Sequence, residues 1–80
     1  MVFEKVKNVI MEIMGIPENE IFLESHLFDE LDADSLDMSQ IILELENEYN
    51  LDINDDEFSS FERVKDIVDY IKNKKQWKLL

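Results

Sequence analysis

Eighty residues suffice for one domain near the lower size limit of a single apolar core, and 45% hydrophobic against 35% charged residues exclude a disordered tail. The formal net charge of −12 argues against nucleic acid and anionic lipid as partners, and the lack of cysteine excludes disulfides, thiolate metal sites and a cysteine nucleophile. One Gly and one Pro beside abundant Leu, Ile, Glu and Lys leave little material for hairpins and point to an all-α fold.

The first helix is predicted over residues 2–14, where Val2, Val6, Val9, Ile10 and Ile13 recur at three- and four-residue steps. Glu4, Lys5 and Lys7 interrupt this apolar run, so it reads neither as a signal peptide nor as a membrane span, and a cytoplasmic protein is expected. Gly15 offers a left-handed stop, and Pro17 blocks continuation.

From there to Asp34 no helical period is sustained. So long a connection in so small a domain must be pinned by its own apolar residues, for which Ile21, Leu27, Phe28 and Leu31 are the candidates. It delivers Asp32-Ala33-Asp34-Ser35-Leu36 to the start of the next helix.

That second helix is predicted from Ser35 to Tyr49, with Met38, Ile41, Ile42, Leu45 and Tyr49 facing the core. At about 100° per residue, Leu36, Gln40, Leu43 and Asn47 fall on the opposite face. Glu44 and Glu48 flank this row on one side and Glu46 on the other. Apolar residues framed by carboxylates in this way read as a docking strip.

Leu51-Asp52-Ile53 alternates too briefly for a strand and is expected to be a loop. Asn54 or Asp55 can cap a short helical turn through Asp56, Glu57 and Phe58. Ser59 with Glu62 offers a capping box for the last helix, whose stripe is Val64, Ile67, Val68 and Ile71. Lys72, Lys74 and Lys75 suit the negative pole at its end, leaving residues 76–80 as a tail that frays or folds back.

Charge is distributed unevenly. All eight Lys and Arg lie outside residues 8–62, a stretch holding 17 of the 20 acids. Such a surface attracts proteins with basic patches, chiefly by speeding encounter.

Catalysis has little to work with: the single histidine, His26, shows no spacing that would join it to Ser35 and an acid as a triad, so no catalytic residue is assigned. Two acidic runs invite a calcium loop and both fail. The first, counted from Asp32, has Leu36 at the fifth position and Asp37 at the sixth, where Gly is needed; the run from Asp52 puts Glu57 in the Gly position and Arg63 in that of the bidentate Glu. No metal site is therefore expected. Ser35 stands out by its place at a helix entry, where free N–H groups and the helix dipole favour a phosphate, although a plain N-cap would explain a serine there equally well.

The segments Leu31-Asp32-Ala33-Asp34-Ser35-Leu36-Asp37, Leu43-Glu44-Leu45-Glu46-Asn47-Glu48-Tyr49 and Val68-Asp69-Tyr70-Ile71 together resemble the acyl carrier protein family. The similarity runs from Val6 to Ile71 and leaves the Lys-rich tail outside, so residues 1–75 are expected to form the carrier domain and 76–80 an appendage. The resemblance implies a helical bundle of three main helices and one short one, a long loop between helices one and two, and a monomer without catalytic activity.

It also implies that Ser35 carries 4'-phosphopantetheine, attached by a phosphopantetheinyl transferase that Asp34 helps to engage. Leu36, Asp37, Leu43, Glu44, Glu46 and Glu48 become the surface offered to acyl-transfer and fatty acid synthesis enzymes with basic patches. Asp32 stands where the family usually has Gly, and Gln40 and Asn47 replace acids common in carriers of fatty acid synthesis. Type II fatty acid synthesis is the first expectation, with polyketide, nonribosomal peptide or D-alanine transfer as alternatives and a small acidic interaction module without a cofactor as the competing class.

Overall fold

The computed structural model describes the backbone of residues 2–79, with the side chains of Asp55 and of residues 75–79 left aside. Four α-helices follow one another: α1 (Val2–Met14), α2 (Ser35–Tyr49), α3 (Asp55–Phe58) and α4 (Val64–Leu79). A single 3-10 turn, Glu18–Glu20, lies in the long α1–α2 connection. The periodicity stripes all turn inward, so that Val6 and Ile10 of α1 meet Met38, Ile41 and Leu45 of α2 and Val64, Ile67 and Ile71 of α4 in one core. Each such side chain contributes about 1.5–3 kcal/mol by leaving water.

The helix ends show local chemistry deciding boundaries. Gly15 takes φ +71° and ends α1, and its N–H donates to the Met11 carbonyl at 2.9 Å. Asn50, at φ 56°, ends α2 in the same left-handed way. Asn54 caps α3, its Oδ1 accepting from the Glu57 N–H at 3.0 Å.

The capping box expected from Ser59 and Glu62 does not form. Ser59 Oγ instead donates to the Asp56 carbonyl at 3.0 Å and closes α3, while Asp66 Oδ2 accepts from the N–H groups of Glu62 and Arg63, both at 2.9 Å, at the head of α4. The reason lies in the loop: Leu27 N–H donates to the Glu62 carbonyl at 2.8 Å and Val64 N–H to the Ser25 carbonyl at 3.0 Å, around an antiparallel bridge of His26 with Arg63. That pairing holds residues 62 and 63 extended and postpones the helix to Val64.

Burial raises the Asp66 pKa, but the N–H groups of Arg63 and Glu62, with the charges of Lys65 and Arg63, outweigh it and hold the carboxyl below its usual 3.8.

The loop is thus stitched to the start of α4, a connection invisible to short-range reading. Ile21, Leu27 and Leu31 pin it as expected, but Phe28 does not: it is 41% exposed, its ring edge-on to His26. Phe61 is buried in the core, edge-on to Tyr70 at 5.5 Å. The Tyr70 hydroxyl donates to Glu57 Oε1 at 2.8 Å, and burial followed by that acid pushes its pKa up to about 12.

Lys7, almost buried, lies between Glu18 at 2.9 Å and Glu4 at 3.4 Å with its ammonium over the Phe3 ring, and so fastens the 3-10 turn to α1. The hydrogen bond to Glu18 outweighs burial and raises its pKa.

The tail expectation also needs correcting, because α4 continues unbroken to Leu79 and does not end at Lys75. Lys, Gln, Trp and Leu all tolerate helix, and no Gly or Pro stands after Ile71 to stop it. No helix among the described residues is long and apolar enough to cross a membrane.

Candidate functional site

Residues 31–37 carry the chain from the loop into α2. Leu31 and Ala33 are buried, and Ala33 N–H donates to the Leu27 carbonyl at 2.9 Å, which anchors the approach. Between them Asp32 takes φ 65°, the left-handed conformation that favours Gly, and its side chain is exposed.

The helix cap is Asp34. Its Oδ1 accepts from Asp37 N–H at 2.8 Å while Asp37 Oδ2 accepts from Asp34 N–H at 3.3 Å, a reciprocal capping box. Ser35 is therefore the first residue of the helix and not its cap, which settles the alternative left open by position alone.

Its side chain is exposed, and none of the hydrogen bonds among the described residues uses its hydroxyl or the N–H groups of Ser35 and Leu36. A free hydroxyl beside two unengaged N–H donors at a positive helix pole fits an anionic phosphodiester.

Down the outer face of α2, Leu36 is 66% and Leu43 58% exposed, with Gln40 and Asn47 exposed between and beyond them. The acids beside this row differ in what they do. Glu44 is exposed and makes no ion pair among the described residues. Glu48 is paired across to Lys5 of α1 at 3.1 Å. Glu46 is half-buried, its Oε2 accepting from Ile53 N–H at 2.8 Å, so that it holds the loop after α2. Asp37 is engaged in the capping box. Among the carboxylates expected to face a partner, only Glu44 is thus without an internal duty.

His26 is a loop fastener. Its Nδ1 accepts from the N–H groups of Asp29 at 3.1 Å and Phe28 at 3.3 Å, and its own N–H donates to Glu30 Oε1 at 2.7 Å. Among the described residues no three His, Asp or Glu side chains converge as a metal site would require. Exposed Phe22, Leu23 and Phe28 were missed as surface residues, because hydrophobicity in an aperiodic loop carries no signal of which way a side chain turns.

Comparison with known proteins then decides the family. Residues 4–71 match the phosphopantetheine attachment site family. The chain is 46% identical over 72 residues to an acyl carrier protein of Clostridium acetobutylicum, covering 90% of this chain and 94% of that protein. It is 39% identical over 71 residues to the acyl carrier proteins of two strains of Nitratidesulfovibrio vulgaris, covering 89% of this chain and 93% of theirs.

The chain belongs to the acyl carrier protein family. Acyl carrier proteins are carriers and not catalysts, and their cofactor is phosphopantetheine. They meet phosphopantetheinyl transferases and acyl-transfer enzymes in general. For a carrier without cysteine, the thiol of that cofactor supplies the thioester chemistry the polypeptide lacks.

Proposed function

We propose that Ser35 is the residue to which phosphopantetheine is joined, and that the carrier presents acyl thioesters to enzymes reading α2 from Leu36 to Glu48. The observation that carries this is the exposed hydroxyl of Ser35 at the first position of α2, outside the Asp34–Asp37 capping box and beside two N–H groups with no partner among the described residues.

The transferase joins Ser35 Oγ to the pantetheine phosphate of coenzyme A, breaking the pyrophosphate linkage so that adenosine 3',5'-bisphosphate leaves and the hydroxyl proton passes to a base of the transferase. Asp34 orients that hydroxyl by capping the helix and supplies charge to the transferase and its metal ion. Leu36 and Leu43 give small apolar contacts and the surrounding acids long-range attraction, a combination suited to fast, weak docking. Burial of an acyl chain among the helix stripes stabilises it by about 0.8 kcal/mol per methylene, until a partner offers a better pocket.

Residues 1–75 form the carrier domain in this reading, a monomer working in the cytoplasm, and type II fatty acid synthesis is its pathway. A specialised pathway is the second reading. It is favoured by Gln40 and Asn47 on the outer face of α2 and by the internal duties of Glu46 and Glu48, which leave little free charge there.

The test is incubation of the purified chain with coenzyme A, magnesium and a promiscuous transferase, followed by intact mass. Gain of one phosphopantetheine that vanishes in Ser35→Ala is expected; no gain, or an equal gain in the variant, overturns the assignment. Elongation of the loaded form by a fatty acid condensing enzyme then separates the pathways, and failure to elongate selects the specialised one.

A further inference from the structure

All four backbone N–H groups from Phe28 to Leu31 end on one residue. Those of Phe28 and Asp29 donate to Nδ1 of His26 at 3.3 and 3.1 Å, and those of Glu30 and Leu31 to its carbonyl at 3.1 and 3.0 Å. The His26 N–H in turn donates to Glu30 Oε1 at 2.7 Å. The next residue, Leu27, supplies the carbonyl that takes the Ala33 N–H at 2.9 Å. The His26 side chain is only 22% exposed, so water reaches it poorly.

A turn of this kind is ordinarily capped by an oxygen of Ser, Thr, Asn or Asp, which accepts at every pH near neutrality. An imidazole does not. Nδ1 can accept two N–H groups only while it carries no proton, which puts the single ring hydrogen on Nε2, 3.8 Å from Asp29 Oδ2. A second proton goes to Nδ1 and turns the acceptor into a donor facing two donors.

We infer that His26 is a positioning residue for the loading of Ser35: its neutral imidazole holds the turn that anchors Ala33, and its protonation releases that turn. The inference rests on the assignment of phosphopantetheine to Ser35 above and adds a control of it by pH. The charged groups around the ring do not offset the lost cap. Asp29, on the same turn, has an 83% exposed side chain, where water screens an ion pair. Glu30 is engaged by the backbone N–H. From the head of α4, Arg63 pairs with His26 across the antiparallel bridge as a like charge, its guanidinium held 2.7 Å from the Glu24 carbonyl. The carboxylates of Glu24 and Glu62 beside that bridge are exposed.

Release has a short way to travel. Without the Nδ1 cap the peptide groups after Leu27 are free to fluctuate, and Ala33 loses the fixed carbonyl on which it hangs. Ser35 follows two residues later, so the transferase meets the competent pose in a smaller fraction of encounters.

The test measures kcat/KM for phosphopantetheine loading by a promiscuous transferase on the parent, His26→Asn and His26→Ala, from about pH 8 to about pH 5.5, where histidines in general change charge. An Asn amide can cap the same two N–H groups and does not titrate. Dividing parent by His26→Asn at each pH therefore removes the transferase's own pH profile. The ratio should fall by about threefold or more toward the acid end, since one lost hydrogen bond shifts an equilibrium by about twofold to tenfold. His26→Ala should load slowly throughout, and His26→Asn should restore loading at the alkaline end. In the ¹⁵N-labelled parent the amides of Phe28, Asp29 and Ala33 should shift with the midpoint of the His26 ring protons, and in His26→Asn that transition should vanish.

A constant ratio, an Ala33 amide that ignores the imidazole midpoint, or parental loading by His26→Ala overturns the inference. Should His26→Ala melt early, the ratio of parent to His26→Asn still decides. Failure of the parent to load at the alkaline end defeats the Ser35 assignment, whereas loading there with a constant ratio defeats the role of His26 alone.

Discussion

Asp32 occupies a left-handed backbone position, φ 65°, immediately before the residues that present Ser35. Side-chain-bearing residues are strained there, Asn and Asp less than others, and Asp34 and Asp37 stand close by in sequence as like charges. Asp32→Gly should therefore raise stability by up to about 1 kcal/mol, or about 4–8 °C in Tm, with the greater freedom of Gly in the unfolded chain limiting the gain. Asp32→Val, β-branched and strained at that φ, should lower it. Thermal melts of both variants at moderate salt check the sign.

Leu43 and Glu46 separate two roles on one helix. Leu43 is exposed, so Leu43→Asp should melt like the parent while slowing partner reactions. Glu46→Lys would have been expected to behave likewise from its place beside the strip. Its carboxylate, however, accepts the Ile53 N–H, and losing a charge-assisted bond costs about 1.5–3 kcal/mol. A lowered denaturant midpoint for Glu46→Lys alone is the expected result, and equal midpoints would contradict it.

At the scale of elements, α1, α2 and the buried stripe of α4 were legible because a 3.6-residue apolar period reports burial directly, and the ends at Gly15 and Pro17 report backbone geometry. The Asp34-Ser35-Leu36 entry was legible by motif, and the outward turn of Leu36 and Leu43 by period. What could not be read were pairings between distant segments. The Ser59–Glu62 box failed because residues 62–64 are drawn to Ser25 and Leu27; the outward turn of Phe28 and the burial of Phe61 left no periodic signal.

Asp66, which caps α4 in place of Ser59, has a measurable signature. Its carboxyl titrates below 3.8 when folded, so its contribution to stability is present above that value and is lost as pH falls through the lower folded pKa. Between pH 5 and the acid end, the stability gap between the parent and Asp66→Ala should therefore narrow. Urea midpoints across that range check it; a constant gap would mean that Asp66 acts by packing alone.

At the scale of the whole molecule, the net charge of −12 on 80 residues outweighs any single contact in setting how the protein responds to its solvent. Self-repulsion of this kind disfavours the compact state and is screened over about 10 Å at 0.1 M salt. Raising ionic strength from low to moderate, or adding a divalent cation, should raise Tm; a flat response would show that the unfolded chain is repelled equally. The same charge explains why the described ion pairs lie chiefly where the terminal lysines reach back: Lys5 to Glu48, and Lys7 to Glu4 and Glu18.

The stitch between Leu27 and Glu62 closes a ring that contains all of α2 and α3. A ring of this kind is completed only after residues 62–64 have found their place, since its closure sits at the head of α4. Until then the Leu27 carbonyl that anchors Ala33 is itself unmoored, and the serine that follows has no fixed pose. In the reading proposed above, a modifying enzyme therefore meets Ser35 in a settled pose only once residues 62–64 have paired with the loop.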